Sequence, residues 1–347
     1  YILGKKEKRR TIALTRLWNR TVALGAAAAM LLSGCGASTG AQSAVNDTSA
    51  AQVVSADDTD LVEIMELTEE EIPLADAPKS SMLLPQASGT KVQSNAKAAI
   101  DYSNTADGYV MVKYTVSTSQ KLKVIVKGPK TTYTYNLAAD KAWDTYPLSD
   151  GSGAYTIGVY ENVSGTKYAG VLSQSISVTL KDEFAPFVRP NQYVDYENAP
   201  KTVAKAAELV SGKSKELDKV QAVYDFVVKN IKYDKQLAAT VKSGYLPVLD
   251  TVLEKKTGIC FDYAALMAGM LRSQGIPCKL VVGYAGQTYH AWISVYTEEN
   301  GWVEGVVYFD GTSWQRMDPT FASTGNQSST VMQYIGDGRN YTVKYLY

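Results

Sequence analysis

Between Thr21 and Leu32 the chain is almost uninterruptedly apolar. At about 12 residues the run falls short of the ~20 that cross a bilayer, but it suits the apolar core of a signal peptide. Residues 36–95 lose this character: Ala, Ser, Thr, Gln and Asp dominate, and nine acidic residues with no basic ones lie between Asp57 and Asp76. Such a stretch buries too little apolar surface to offset its ordering entropy. It reads as a flexible acidic spacer with an r.m.s. reach of roughly 40–45 Å. From residue 97 to 182 the pattern is mostly period two. Tyr109–Val116, Leu122–Val126, Thr131–Leu137, Ala154–Tyr160 and Ser173–Leu180 are rich in β-branched and aromatic residues, with Gly128-Pro129, Ser149-Asp150-Gly151 and Ser164-Gly165 as turns. This predicts a small all-β sandwich of immunoglobulin-like type over 96–183. Its tyrosines read as sheet-face packing rather than as a ligand platform.

The period changes again in 184–347. Phe184–Pro200 is punctuated by proline and reads as a linker wrapping onto the next domain. Leu217, Val220, Tyr224, Val227, Val228 and Ile231 fall at helical spacing, predicting an amphipathic helix over 214–232. A shorter helix is expected over 247–255, and a third from Cys260 to Ser273, stopped by Gly275-Ile276-Pro277. Strands are expected at Cys278–Tyr284, Tyr289–Tyr296, Trp302–Phe309 and Ser313–Asp318, with Asp310-Gly311 as a tight-hairpin signal. Helices succeeded by antiparallel strands make this part α+β.

Charge sharpens the picture of the N-terminus. Lysine plus arginine and aspartate plus glutamate both total 35, but residues 1–34 carry seven basic residues and one acidic. That segment is therefore +6 and the remainder −6. A mildly acidic body lacks the basic footprint of a nucleic-acid binder. The basic stretch precedes the apolar run, which ends in Leu32-Ser33-Gly34-Cys35. This resembles a bacterial lipobox, in which small residues permit cleavage and the cysteine thiol carries the lipid. Residues 1–35 are thus expected to be a lipoprotein signal peptide with Cys35 as the lipid-attachment site. Each methylene then buried in the membrane contributes roughly 0.8 kcal/mol to anchoring. The expected location is the extracytoplasmic face of the cell membrane.

The candidate chemistry is limited by scarcity. There are three cysteines, Cys35, Cys260 and Cys278, and a single histidine, His290. A dense disulfide framework and a two-histidine zinc site are both excluded. Cys260 follows Thr257-Gly258-Ile259 and opens a predicted helix, where the positive end of the macrodipole favours a nucleophilic thiolate. First-turn amides, including that of Cys260, are potential donors to an oxyanion. His290 is the sole histidine available as a general base, and Asp318, just before Pro319, is placed to orient an imidazole. Cys278, near Leu280-Val281-Val282, reads as a core residue rather than a disulfide partner of Cys260. Asp262 in the first helical turn reads as a charge partner of the helix N-terminus.

At Gly258-Ile-Cys-Phe-Asp-Tyr-Ala-Ala-Leu266, Leu271-Arg-Ser-Gln-Gly-Ile-Pro277, Gly283-Tyr284, His290-Ala-Trp292 and Met317-Asp-Pro-Thr320 the chain resembles the transglutaminase-like superfamily, which is related in architecture to papain. The resemblance implies a papain-like, transglutaminase-like domain over 184–347 with Cys260, His290 and Asp318 as its triad. Family members often complete the oxyanion hole with a side chain upstream of the cysteine. Tyr245 is the candidate here because its hydroxyl can donate, but a packed or exposed tyrosine is the stronger reading. Trp292 reads equally as cover for the imidazole or as core. The segment Thr297–Thr312 lengthens the usual connection from the histidine strand to the aspartate. The implied activity is thiol-dependent acyl transfer at amide or peptide bonds through a thioester. That chemistry serves a cysteine protease or amidase and a transglutaminase alike. It uses no metal or organic cofactor, and its partners are protein or peptide substrates at the cell surface. The alternative is a non-catalytic surface-binding lipoprotein that uses the β-sandwich, with the transglutaminase-like part as scaffold.

Overall fold

A computed structural model describes residues 82–298, 301–303, 307–309, 314–316 and 341–347 of the chain, all within one compact unit. The signal-peptide and lipobox expectations, including Cys35, lie outside the described residues, as does Asp318.

The β-rich part forms two four-stranded antiparallel sheets. Strands β1 (Val92–Ser94), β2 (Ala98–Asp101) and β3 (Tyr109–Tyr114) run side by side in the first. Strands β4 (Leu122–Lys127) and β5 (Thr132–Leu137) start the second, β6 (Asp144–Pro147) returns to the edge of the first beside β3, and β7 (Gly153–Ser164) and β8 (Lys167–Val178) complete the second in the order β5-β4-β7-β8. The two-residue period explains the facing. Leu122, Val124 and Val126 of β4 and Tyr133, Tyr135 and Leu137 of β5 are buried, with their neighbours turned outward. Residues 82–95, which the sequence pattern assigns to the flexible spacer, take a defined course that includes β1. Tertiary hydrogen bonds hold it: the Gly89 amide donates to Asp101 Oδ2 at 2.7 Å and the Lys91 amide to Ser103 Oγ at 2.9 Å.

The helices come next. Helix α1 (Pro200–Val210) is absent from the elements expected from sequence, where the linker ends at Pro200; α2 (Glu216–Asn230) agrees with them. On α2, Val220, Val223, Tyr224, Val227 and Val228 are buried along one stripe, with Glu216 and Asp218 at the N-terminus and Lys229 at the C-terminus complementing the macrodipole. A short strand β9 (Lys232–Tyr233) and helices α3 (Lys235–Thr240) and α4 (Leu249–Lys255) lead to β10 (Thr257–Gly258), which pairs in parallel with β9. Helix α5 spans Cys260–Ser273 and is buried from Asp262 to its end. It packs against the antiparallel pair β11 (Cys278–Ala285) and β12 (Thr288–Thr297). Strand β13 (Gly301–Val303) extends that sheet beyond β12. The segment expected as one strand over Trp302–Phe309 is therefore split, because β14 (Val307–Phe309) pairs instead with β15 (Trp314–Arg316). The last strand, β16 (Tyr341–Leu346), adds to the free edge of β11.

One apolar core runs without a break from the sheets into the helical part. Tyrosines make the junction. Tyr133 packs on Tyr345 and Tyr135 on Tyr347, each at 5.8 Å between ring centroids, and Tyr193 lies 4.4 Å from Tyr347. The sheet-face tyrosines thus fasten β5 to the segment that carries β16. Offset and edge-on ring pairs of this kind contribute about 0.5–1.5 kcal/mol each beyond their burial.

Candidate active site

The site is assembled at the start of α5. Ile259, the residue before the helix, offers no polar side chain to its first-turn amides. The local turn is instead closed by Asp262, whose Oδ2 accepts the Ile259 amide at 2.8 Å. The carboxylate folds back over Gly258, where a Cβ would lie 2.6 Å from Asp262 Cβ. A glycine two residues before Cys260 is required for that close approach rather than for an unusual φ. Cys260 becomes the first helical residue, half-buried and with a free thiol.

His290 arrives from the other side of the sequence. It lies on β12 opposite Gly283 of β11 and is 5 % exposed. Its ring stacks at 6.2 Å on that of Trp292, two residues along the same strand face, and Trp292 in turn meets Tyr341 of β16 edge-on at 5.0 Å. Trp292 therefore serves both functions the sequence allowed, cover for the imidazole and core. Gly283 is needed here too. A Cβ would collide with the backbone carbonyl of Thr342 and the Trp292 ring, where β16 slips register beside β11. Removing a side chain at this one position lets three strands close up behind the histidine.

Cys260 and His290 open onto one cavity of about 540 Å³. Most of its wall is aromatic or aliphatic, including Tyr193, Tyr233, Phe261, Tyr289 and Tyr347. Tyr233 is placed by the β9–β10 pairing directly beside Gly258, and burial pushes the phenols of both Tyr233 and Tyr289 upward. These tyrosines are not among the sequence candidates, because nothing local distinguishes them from the many others in the chain.

Tyr245 also lines the cavity, but its one phenolic proton is taken by Asp262 Oδ1 at 2.7 Å. Burial pushes the Asp262 carboxyl upward, opposed by the Ile259 amide and the Tyr245 hydroxyl. In this arrangement Tyr245 supports the turn that presents Cys260, rather than donating to an oxyanion. Tyr245→Phe is accordingly expected to cost about 1.5–3 kcal/mol of stability, the worth of a hydrogen bond to a charged acceptor. Turnover should fall by far less than the roughly hundredfold that follows loss of an oxyanion donor. Urea unfolding and steady-state kinetics on the same preparation check both halves.

Cys278 belongs to the core. It is fully buried and free, and burial pushes its thiol up to about 12 against the opposing pull of Arg272. The guanidinium of Arg272 is itself buried and donates to three backbone carbonyls: Cys278 (2.8 and 2.6 Å), Arg189 (2.9 Å) and Tyr347 (2.6 Å). It thereby ties the C-terminal end of α5 to β11, to the segment before α1 and to a residue of the cavity wall.

Comparison with known proteins agrees with the region that forms the site. Residues 203–319 match the family model of the transglutaminase-like superfamily. The uncharacterized protein YebA of Bacillus subtilis is 30% identical over 117 residues, covering 28% of this chain. A protein-glutamine gamma-glutamyltransferase of Pseudomonas aeruginosa is 32% identical over 68 residues, covering 16% of this chain. The aligned regions span only 16% and 10% of those two relatives. Among solved structures, the periplasmic domain of TgpA from Pseudomonas aeruginosa aligns with 72% of this chain and 80% of its own, at 18% identity and a TM-score of 0.30.

Proposed function

Taking residues 203–319 as a transglutaminase-like region, we propose that this protein is an extracytoplasmic, lipid-anchored enzyme that transfers acyl groups from amides through a thioester on Cys260. The observation that carries the reading is that the one histidine of the chain and a half-exposed helix-start thiol share a cavity. His290 takes the thiol proton as the Cys260 sulfur attacks the amide carbonyl carbon. The S–C bond forms, the C–N bond breaks, and the imidazolium passes its proton to the departing amine. Water or a second amine then attacks the thioester carbonyl, returning the sulfur to its thiol form. Asp318 orients the imidazole in this scheme. The first-turn amides of α5 donate to the oxyanion, since Ile259 leaves them without a side-chain cap. An open path to the sulfur favours catalysis over a scaffold, for which a sealed thiol would suffice. The lipobox-like Leu32-Ser33-Gly34-Cys35 supports anchoring at the membrane through Cys35.

Incubating the protein with extracellular and cell-wall proteins, with and without a labelled primary amine, tests the reading. Cleavage products without label define a peptidase or amidase, and incorporated label defines a transglutaminase. Absence of both cleavage and label, from a protein folded by circular dichroism, overturns acyl transfer.

A further inference from the structure

The exposed large apolar side chains of the described residues are not scattered evenly. At one rim of the cavity the β11–β12 hairpin presents Tyr289, 55% exposed, with Tyr284, 38% exposed, packed edge-on against it at 5.4 Å. The segment between α3 and α4 also lines the cavity through Val241, 37% exposed, and beyond it exposes Leu246 and Val248, the last 60% exposed. Single exposed apolar residues are ordinary, but a group of them flanking a concave site signals a ligand surface. This second wall is held in place. A Cβ on Gly244 would lie only 3.3 Å from Asn136 of β5, and Tyr245 is bonded to Asp262. Charge adds to the selection. Among the described lining residues the one charged side chain is Lys242, and none is a carboxylate.

We propose that the site selects peptide segments bearing a large aromatic or aliphatic side chain beside the reacting amide, and discriminates against lysine or arginine at that place. This rests on Cys260 acting as the acyl nucleophile. The substrate side chain packs against Tyr289 and Val241, an aromatic one edge-on or offset on Tyr289 as aromatic pairs prefer. A cationic side chain entering the same slot loses hydration, gains no carboxylate partner and meets Lys242. The preference is worth at least about tenfold in rate, the scale on which apolar pockets discriminate.

The experiment uses the full chain and three acetylated dipeptide chloromethyl ketones that differ only in the residue beside the reactive carbon: phenylalanine, glutamate or lysine. Alkylation forms the Sγ–C bond with loss of chloride, and mass spectrometry follows the rate at Cys260. The phenylalanine probe should react at least about tenfold faster than the lysine probe, with glutamate between them. Tyr289→Ser and Val241→Ser should each bring the phenylalanine-to-lysine ratio towards one. Equal rates for all three probes, or a faster lysine probe, overturn the selectivity while leaving the nucleophile standing. If no probe reacts at Cys260 in the folded protein, although all three react after denaturation, the acyl-transfer reading fails and the selectivity goes with it.

Discussion

Replacing Cys260 with alanine is expected to abolish acyl transfer and leave the fold essentially unchanged. The sulfur sits at the first position of α5, half-buried and without a disulfide partner. Alanine is the best helix former and suits that position, so the stability change should stay within about 1 kcal/mol. The chemical loss is of another order. A nucleophile acting with a base as one unit cannot be replaced piecemeal, and its removal typically costs more than about 10³ in kcat. For the same reason His290→Ala should match Cys260→Ala, and the double variant should be no worse than either single one. Steady-state kinetics on the amide substrate, with urea unfolding of each variant, measures both effects. Multiplicative losses in the double variant would mean that the two side chains do not act together.

The largest expected effect on stability belongs to Arg272→Met, at about 2–6 kcal/mol for two backbone carbonyls left dry. Arg272 is completely buried with no carboxylate partner among the described residues, and burial lowers its guanidinium to about 10. It persists because its fork meets carbonyls from Arg189, Cys278 and Tyr347 at 2.6–2.9 Å. Methionine fills much of the volume and removes the cost of desolvating a cation, which argues for a small effect. The carbonyls decide otherwise. They are backbone groups that no substitution removes, and each one left dry costs roughly 1–3 kcal/mol. The Tyr347 carbonyl keeps the Leu280 amide at 2.8 Å, so the losses concentrate at Arg189 and Cys278. Lysine in place of Arg272 should recover only part of the loss, because an ammonium cannot reproduce the planar fork. Denaturant titration of the three proteins checks the order Arg, Lys, Met. A methionine variant within about 1 kcal/mol of the parent would show that the carbonyls find other donors.

Much of the fold is legible in the sequence because its signals are local. The stripe from Val220 to Val228 fixes α2, and Gly275-Ile276-Pro277 stops α5 where Ser273 ends it. The alternation in Leu122–Lys127 and Thr132–Leu137 sets which residues of β4 and β5 face inward. Cys260 and His290 are legible for a different reason: a helix-start thiol and a solitary histidine leave few partners to choose from.

What escapes the sequence depends on partners far along the chain. Helix α1 begins at Pro200 after Ala199, which has no capping side chain; its first amides, Lys201 and Thr202, instead donate to Asp250 on α4 at 3.1 and 2.7 Å. Strand β16 has three exposed and three half-buried side chains and none fully buried, so no buried face marks it, and its existence follows from the vacant edge of β11. Tyr245 illustrates the same limit at the site, since only the fold brings its hydroxyl to Asp262 and away from an oxyanion role. Sequence alone specifies the elements with a strong internal period and nominates Cys260 and His290 as the candidate reactive side chains. Tertiary packing chooses where unpaired backbone and phenolic groups find their hydrogen bonds. The difference arises because periodicity is set by neighbours within a turn or a strand, whereas a buried polar group takes whichever partner the folded chain brings within about 3 Å.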